Sequence, residues 1–325
     1  MKLKHCLTGI ALLAAAALPL SVLAQAWPTR QPIKLVAVFP PGGSVDQVAR
    51  ILAQQLQVQT GQPFIVENKG GASGSIGAAA VSASPPDGYT IGVVFDTHGV
   101  NPSLIPNLPF DTLNDLAPVT LVGTSPMAIV AHASQPYANF GDVLAAAKAK
   151  PGSISYGSIG SGSLGHLAMT QVANQLKLDM THVPYKGGGP LMNDAVGGQV
   201  PLAIGTVFLV SPHVKGGRVK ALGVTSLTPS QQLPGVKPVA EQGVPGFSAL
   251  AWWGIIAPAK TPPALVQRIH EEIAKALKDP GVAEKLGAQG MDVLGGGPAD
   301  LDRFLRGEIS RWAKVVKDNN IRAGD

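Results

Sequence analysis

Two stretches of this chain repeat one plan: an apolar strand, a Gly/Ser-rich turn, a helix and a second strand. The first runs Lys34 to Phe39, turns through Pro40-Pro-Gly-Gly-Ser-Val-Asp46, continues as a helical run to Thr60 and ends in Pro63 to Glu67. The second runs Ser153 to Gly157, turns through Ser158-Ile-Gly-Ser-Gly-Ser163, continues as a helix to Leu176 and ends in Met180 to Val183. A turn of this kind presents backbone N–H groups at a helix N-terminus, where the first donors lack internal partners and the dipole is positive. One such turn is an ordinary anion site. Two on separate halves of a chain suggest a clamp for an anionic small molecule.

Residues 1–26 read as an export signal. Lys2, Lys4 and His5 precede an apolar run from Leu7 to Leu23 that Pro19 interrupts, and small residues at Val22 and Ala24, or at Ala24 and Ala26, offer two cleavage sites. Cys6 lies ahead of the apolar run, where it cannot serve as a lipid-attachment residue, and it leaves with the signal. The expected mature chain then has no cysteine, so it must hold itself together through its core. Roughly 300 residues exceed what one growing core accommodates, which predicts two lobes. Without Lys2 and Lys4 the chain carries 23 basic and 20 acidic residues, with no Lys/Arg cluster and few aromatics, so nucleic-acid binding gains no support. No other stretch approaches the ~18 apolar residues of a membrane span.

Along the chain, β-branched apolar runs alternate with amphipathic ones, which predicts parallel sheets covered by helices. Val48, Ile51, Leu52 and Leu56 fall at helical spacing, with Gln47, Arg50, Gln54 and Gln55 polar between them. Thr90–Phe95, Val219–Val224 and Ala251–Ala257 read as strands, and Val119–Val122 with Met127–Ala131 as a strand pair around Ser125-Pro126. Helices are expected over Phe140–Lys150, Pro262–Leu277 and Pro298–Lys317; Leu265, Ile269, Ile273 and Leu277 form one stripe. The economical arrangement is two α/β lobes, with the chain crossing between them near Gly123–Met127 and Ala249–Gly254. Lobe 1 would be 27–123 plus 254–325, and lobe 2 would be 124–253.

The chemistry of catalysis is poorly represented, and no catalytic residue, metal ligand or cofactor is expected. No Gly-x-Ser-x-Gly surrounds Ser158, Ser161 or Ser163, no Gly-Lys-Ser/Thr occurs, and no His-Glu-x-x-His or close His/Cys pair is found. One match competes. Gly160-Ser-Gly162-Ser-Leu-Gly165 is literally G-x-G-x-x-G between a strand and a helix, with Asp179 at about the dinucleotide spacing. Export, and the absence of that fingerprint from the first turn, argue against it. A third reading is a tight connection that needs glycine's φ/ψ freedom and holds no ligand.

Phe39-Pro-Pro-Gly-Gly-Ser-Val-Asp46, Val66-Glu-Asn-Lys69, Pro86-Asp-Gly-Tyr-Thr90, Asn101-Pro-Ser-Leu104, His182-Val-Pro-Tyr-Lys-Gly187, Gly197-Gly-Gln-Val200 and Val224-Thr-Ser226 closely resemble the Bug family, the solute receptors of tripartite tricarboxylate transporters. The resemblance runs from Trp27 to the C-terminus with the motifs in order. It implies a type II periplasmic-binding-protein fold, a Venus-flytrap of two α/β lobes, located in the periplasm and capturing a small carboxylate. It also implies a monomer that serves membrane transporter subunits, with a sensor kinase as the alternative partner.

Carried onto this sequence, the family pocket falls on the two turns. Phe39, Gly43 and Ser44 from one lobe, and Ser158, Gly160, Ser161, Gly162 and Ser163 from the other, would grip a carboxylate, partly through water. Thr97, His98 and Asn101 match a loop lining the cleft; His98 either donates to the anion or bonds its own turn. His166 either leans toward the anion or packs as a plain imidazole. Asp46 favours the helix dipole over ligand contact, and Lys186, beside Tyr185, reads as a solvated lysine. Of Trp252 and Trp253, alternation puts one in the core and the other toward the cleft. Amino-acid-binding relatives resemble one another in placing an Asp where this chain has Gly205, next to the candidate ligand residue Thr206. Without it an unmodified amino acid loses its ammonium partner. A di- or tricarboxylate is favoured, an aromatic one included, given the room expected beside Gly205. Val38 stands where many relatives resemble one another in having Pro, a departure that points to no particular ligand.

Overall fold

The computed structural model of the protein describes residues 27–319 and residue 321; the expected export segment with Cys6 lies outside the described residues. The chain begins with β1 (Ile33–Ala37), α1 (Ser44–Thr60) and β2 (Phe64–Asn68). Val48, Leu52 and Leu56 bury one face of α1, and Gly61, left-handed at φ 71°, ends it. After α2 (Ser75–Ser82) comes β3 (Thr90–Phe95), and β1 pairs in parallel with both β2 and β3. α3 (Thr97–Leu104) follows at the C-terminal end of β3.

β4 (Leu116–His132) is one strand of 17 residues, where the sequence pattern predicts two. Leu116–Pro126 pairs with β9 (Leu250–Pro258), and Met127–Ala131 pairs with β7 (Leu202–Thr206). The change of partner falls after Pro126, which has no N–H to donate, so the proline costs the ladder nothing there. Met127 then donates its N–H to Thr225 Oγ1 at 2.8 Å.

The second copy of the plan follows α4 (Phe140–Ala149), which Asn139 and Asp142 cap reciprocally. It comprises β5 (Ile154–Ser158), α5 (Leu164–Leu176) and β6 (Met180–Pro184), with β5 parallel to β6 and β7. α6 (Gly188–Val196), α7 (Val207–Lys215) and β8 (Val219–Val224) complete this half, and β8 pairs with the end of β4. The chain returns through β9 to α8 (Pro263–Lys278), α9 (Pro280–Gly287), β10 (Asp292–Gly296) and α10 (Pro298–Asp318). The stripe Leu265, Ile269, Ile273 and Leu277 on α8 is buried as its spacing predicts.

The strand order is β2-β1-β3-β9-β4-β7-β5-β6, with β8 and β10 also on β4. Each half is parallel around its own repeat, whereas β4 and β9 run antiparallel to their neighbours. Two α/β lobes result, with β4 passing through both. Thr225 ties the crossings together: its N–H donates to Met127 O, Ala249 N–H donates to its carbonyl, and its hydroxyl donates to Ala249 O at 2.6 Å. No helix among the described residues is long and apolar enough to cross a membrane.

Both tryptophans of β9 are fully buried, which corrects the expectation that one faces the cleft. β9 is an interior strand covered on both faces. Trp252 packs edge-on against Phe304 of α10, and Trp253 against Phe95 and Phe208.

Candidate functional site

The two Gly/Ser turns face each other between the lobes, and two adjoining spaces lie along that seam. The inner one is lined by Phe39, Gly43, Ser44, Ile159, Gly188 and Thr206, with apolar walls from Phe95, Met127 and Leu209. Its free volume is about 10 Å³, room for roughly one water. The outer one is a groove of about 670 Å³ lined by Phe39–Pro41, Asn68 and Gly70–Ser73 from lobe 1 and by Ile159–Ser161, Tyr185 and Lys186 from lobe 2. Phe39 and Ile159 line both, so they stand between groove and inner cavity.

The inner end is built from helix N-termini. α1 starts after Gly43 and α6 after Gly187, and neither cap residue supplies a side-chain acceptor. Their first-turn amides therefore lack helical acceptors on a cavity wall. The two ends nearly touch: a Cβ added to Gly43 would lie 3.5 Å from Gly188 N, and one added to Gly189 only 2.6 Å from Pro41 O. At Gly189 only a glycine permits this approach. Two positive helix ends so close favour negative charge beside them.

The turn between β5 and α5 behaves differently, because its own side chains satisfy it. Gly162 N–H donates to His166 Nδ1 at 3.0 Å, Gly160 N–H to Ser158 Oγ at 3.3 Å, and Ser163 N–H to Gly160 O. Ser163 Oγ accepts from His166 N–H and donates to Ser158 Oγ, which also contacts His182 Nε2 at 2.7 Å. The His166 and His182 rings stack at 3.9 Å. Gly162 is left-handed, at φ 73°, and a Cβ there would fall 1.7 Å from Leu104 Cδ2 of the other lobe. Close packing accounts for this glycine of the G-x-G-x-x-G pattern.

Of the residues expected at the site, Phe39, Gly43, Ser44, Gly160, Ser161 and Thr206 line the two spaces. Ser158, Gly162, Ser163 and His166 form the support behind the second turn. Thr97 and His98 lie buried on α3 and line neither space; the His98 ring stacks on Phe110 at 6.2 Å. Burial pushes the His98 pKa down from 6.5 to about 4. Asp96, at the end of β3, is wholly buried; burial first, then the Glu308 carboxylate, raises it well above the ordinary range. Asn101 turns its amide to Ser73 O at 3.0 Å.

Asp46 is a structural anchor. Its carboxylate accepts from Gly42 N–H and Arg50 Nε at 3.0 Å and from Asn68 Nδ2 at 2.9 Å. Burial by itself would raise its pKa, but the bonds from Arg50, Gly42 and Asn68 outweigh that and hold it below the usual value. Gly205 lines the inner space, and the room beside it is narrow: a Cβ would meet Val210 Cγ1 at 3.1 Å and Leu209 Cδ2 at 3.3 Å.

Sequence reasoning missed Gly187–Gly189 and the groove-facing role of Lys186. The run Lys186-Gly-Gly-Gly-Pro190 was a visible signal, since three glycines before a helix permit close backbone approach. Lys186 is exposed, is the one charged side chain on the groove among the described residues, and has no ion-pair partner there.

Comparison with known proteins sets this geometry in context. The family profile described as tripartite tricarboxylate transporter family receptor matches residues 48–321. Protein BugT of Bordetella pertussis is 35% identical over 312 residues, covering 95% of this chain and 95% of BugT. The structure of R. palustris Rpa4515 with adipate superposes with a TM-score of 0.87 at 32% identity, covering 91% of this chain and 99% of that one. MatC from Rhodopseudomonas palustris with bound malate gives 0.84 at 30% identity, covering 89% and 100%.

Proposed function

The chain belongs to the tripartite tricarboxylate transporter receptor family, and from that premise we propose that it is an exported, non-catalytic receptor. It binds a small dicarboxylate in the interlobe groove and presents it to membrane transporter subunits. The observation that carries this reading is the pair of uncapped helix N-termini, α1 and α6, facing each other at the inner end of the groove. One carboxylate points inward to these amides, directly or through the single water the cavity admits. The apolar middle of the ligand passes between Phe39 and Ile159, and the second carboxylate lies near Lys186 at the outer end. Capture of malate and adipate by relatives supports a dicarboxylate of modest length. The inner space that Gly205 lines, about 10 Å³, favours a slender ligand over an aromatic one. In this reading lobe 1 is 27–123 plus 254–325 and lobe 2 is 124–253, with hinges where β4 changes partner and where Thr225 meets Ala249.

Calorimetry of the mature protein against adipate, malate and matched monocarboxylates tests it. Adipate or malate should bind one-to-one and be recovered unchanged, stabilising the fold by about 2.7 kcal/mol at 100 times its Kd. Lys186→Gln should weaken the dicarboxylate roughly tenfold and leave the monocarboxylate nearly unaffected. Consumption of the ligand, or equal loss for both classes, contradicts the assignment.

A further inference from the structure

The outer groove is bordered by a segment whose backbone is unusual. From Gly71 to Gly74 the φ angles are 128°, 44°, 51° and 86°, so Ala72 and Ser73 sit in the left-handed region with glycines on either side. Such conformations are costly for an alanine and a serine, and they persist only where surrounding contacts impose them. Three contacts do so. Gly74 N–H donates to Gly71 O at 3.0 Å, Asn101 Nδ2 of α3 donates to Ser73 O at 3.0 Å, and Gly70 lies so close to Pro40 that a Cβ would sit 2.7 Å from its Cδ. The result aims the Ser73 hydroxyl across the seam, where it donates to Ser161 O of the other lobe at 2.8 Å. Beside it, Leu104 fills the notch over Gly162.

We propose that Gly70–Gly74 is a latch: the Ser73 hydroxyl, held in a strained backbone and bonded to the Ser161 carbonyl, keeps the two lobes closed over the groove. Ser73 is thereby a positioning residue that slows escape of whatever the groove holds. The seam it closes is the one used in the binding reading, on which the inference rests for its ligand. A bond made only when the lobes meet favours the closed state over the open one, which is the condition for shifting that equilibrium. It acts on dissociation more than on encounter, because the groove must close before the bond exists.

The mature sequence has no cysteine after Cys6, so paired spin labels at Gln54→Cys and Lys148→Cys, exposed positions on α1 and α4, report the distance between lobes. Distances are measured in Ser73→Ala, Ser73→Gly and the unaltered background, without ligand and with saturating adipate. Stopped-flow with adipate gives the two rate constants. Both variants should shift ligand-free populations toward longer distances and raise the dissociation rate roughly 2- to 12-fold, with the association rate changed less than about twofold. Ser73→Gly also relieves the backbone strain, so it should melt no lower than Ser73→Ala while opening as far. Distances in both variants that superimpose on the background overturn the latch. If adipate fails to bind the background while the variants still open, the latch stands and the ligand assignment falls.

Discussion

His98 shows how far one side chain's surroundings override its sequence context. It lies just after β3, whose last residue Phe95 lines the inner cavity, yet α3 turns it inward onto Phe110 and its Nε2 has no hydrogen-bond partner. Burial lowers its pKa to about 4 from 6.5, so the unfolded chain takes up the proton first as pH falls. Stability from this group is complete above about pH 6.5 and is lost as pH drops through that window toward 4. His98→Phe keeps an aromatic partner for Phe110 and removes the titration. The difference in unfolding free energy between wild type and His98→Phe should change by about 2–3 kcal/mol between pH 7 and pH 4.5, read from urea titrations. A difference independent of pH contradicts it. The Asp46 contribution runs in a separate window. Its folded pKa is depressed, so its stabilisation is present above the ordinary carboxylate value and fades only as pH falls through the folded one.

At the scale of elements, what matters is which helix ends are already satisfied. α5 carries a serine cap and a histidine acceptor, so its amides are largely consumed before any ligand arrives. α1 and α6 begin at glycines without side-chain caps. Placing a carboxylate at the start of α1 therefore separates stability from binding. Gly43 has φ −82° and room for a Cβ, so Gly43→Asp can cap α1 and reach the amides of α6. The variant should melt at or slightly above the wild-type temperature while losing dicarboxylate affinity by more than about tenfold, since its own carboxylate occupies the anion position. Unchanged affinity by calorimetry means that the anion does not sit at these helix ends.

For the whole molecule, β4 is the decisive element. It donates one half of its length to each lobe, and one hydrophobic cluster runs from Ile33 and Leu35 in lobe 1 to Phe140, Leu167 and Phe208 in lobe 2. A second cluster, around Leu191, Val207 and Val210, lies within lobe 2. Continuity of core and strand predicts that the lobes melt together. Scanning calorimetry should give one transition whose calorimetric and van't Hoff enthalpies agree; two resolved transitions contradict it. The hinges proposed near Gly123–Met127 and Ala249–Gly254 adjoin the Met127–Thr225–Ala249 bonds.

Local chemistry was legible in the chain itself. Continuous apolar runs marked β1 and β3, period-3.6 apolar spacing marked α1 and α8, and glycine-rich turns marked where helices begin, because those preferences act over a few residues. Residue spacing did not reveal that β4 is continuous through Ser125-Pro126, since only a change of partner strand makes a proline harmless there. Nor did it reveal which turn keeps free amides. That depends on His166 and Ser158 reaching back into one turn, and on Gly187–Gly189 arriving from a distant loop to face the other. Whether a backbone donor is available is settled by its partners in space, and the tertiary fold alone chooses those partners.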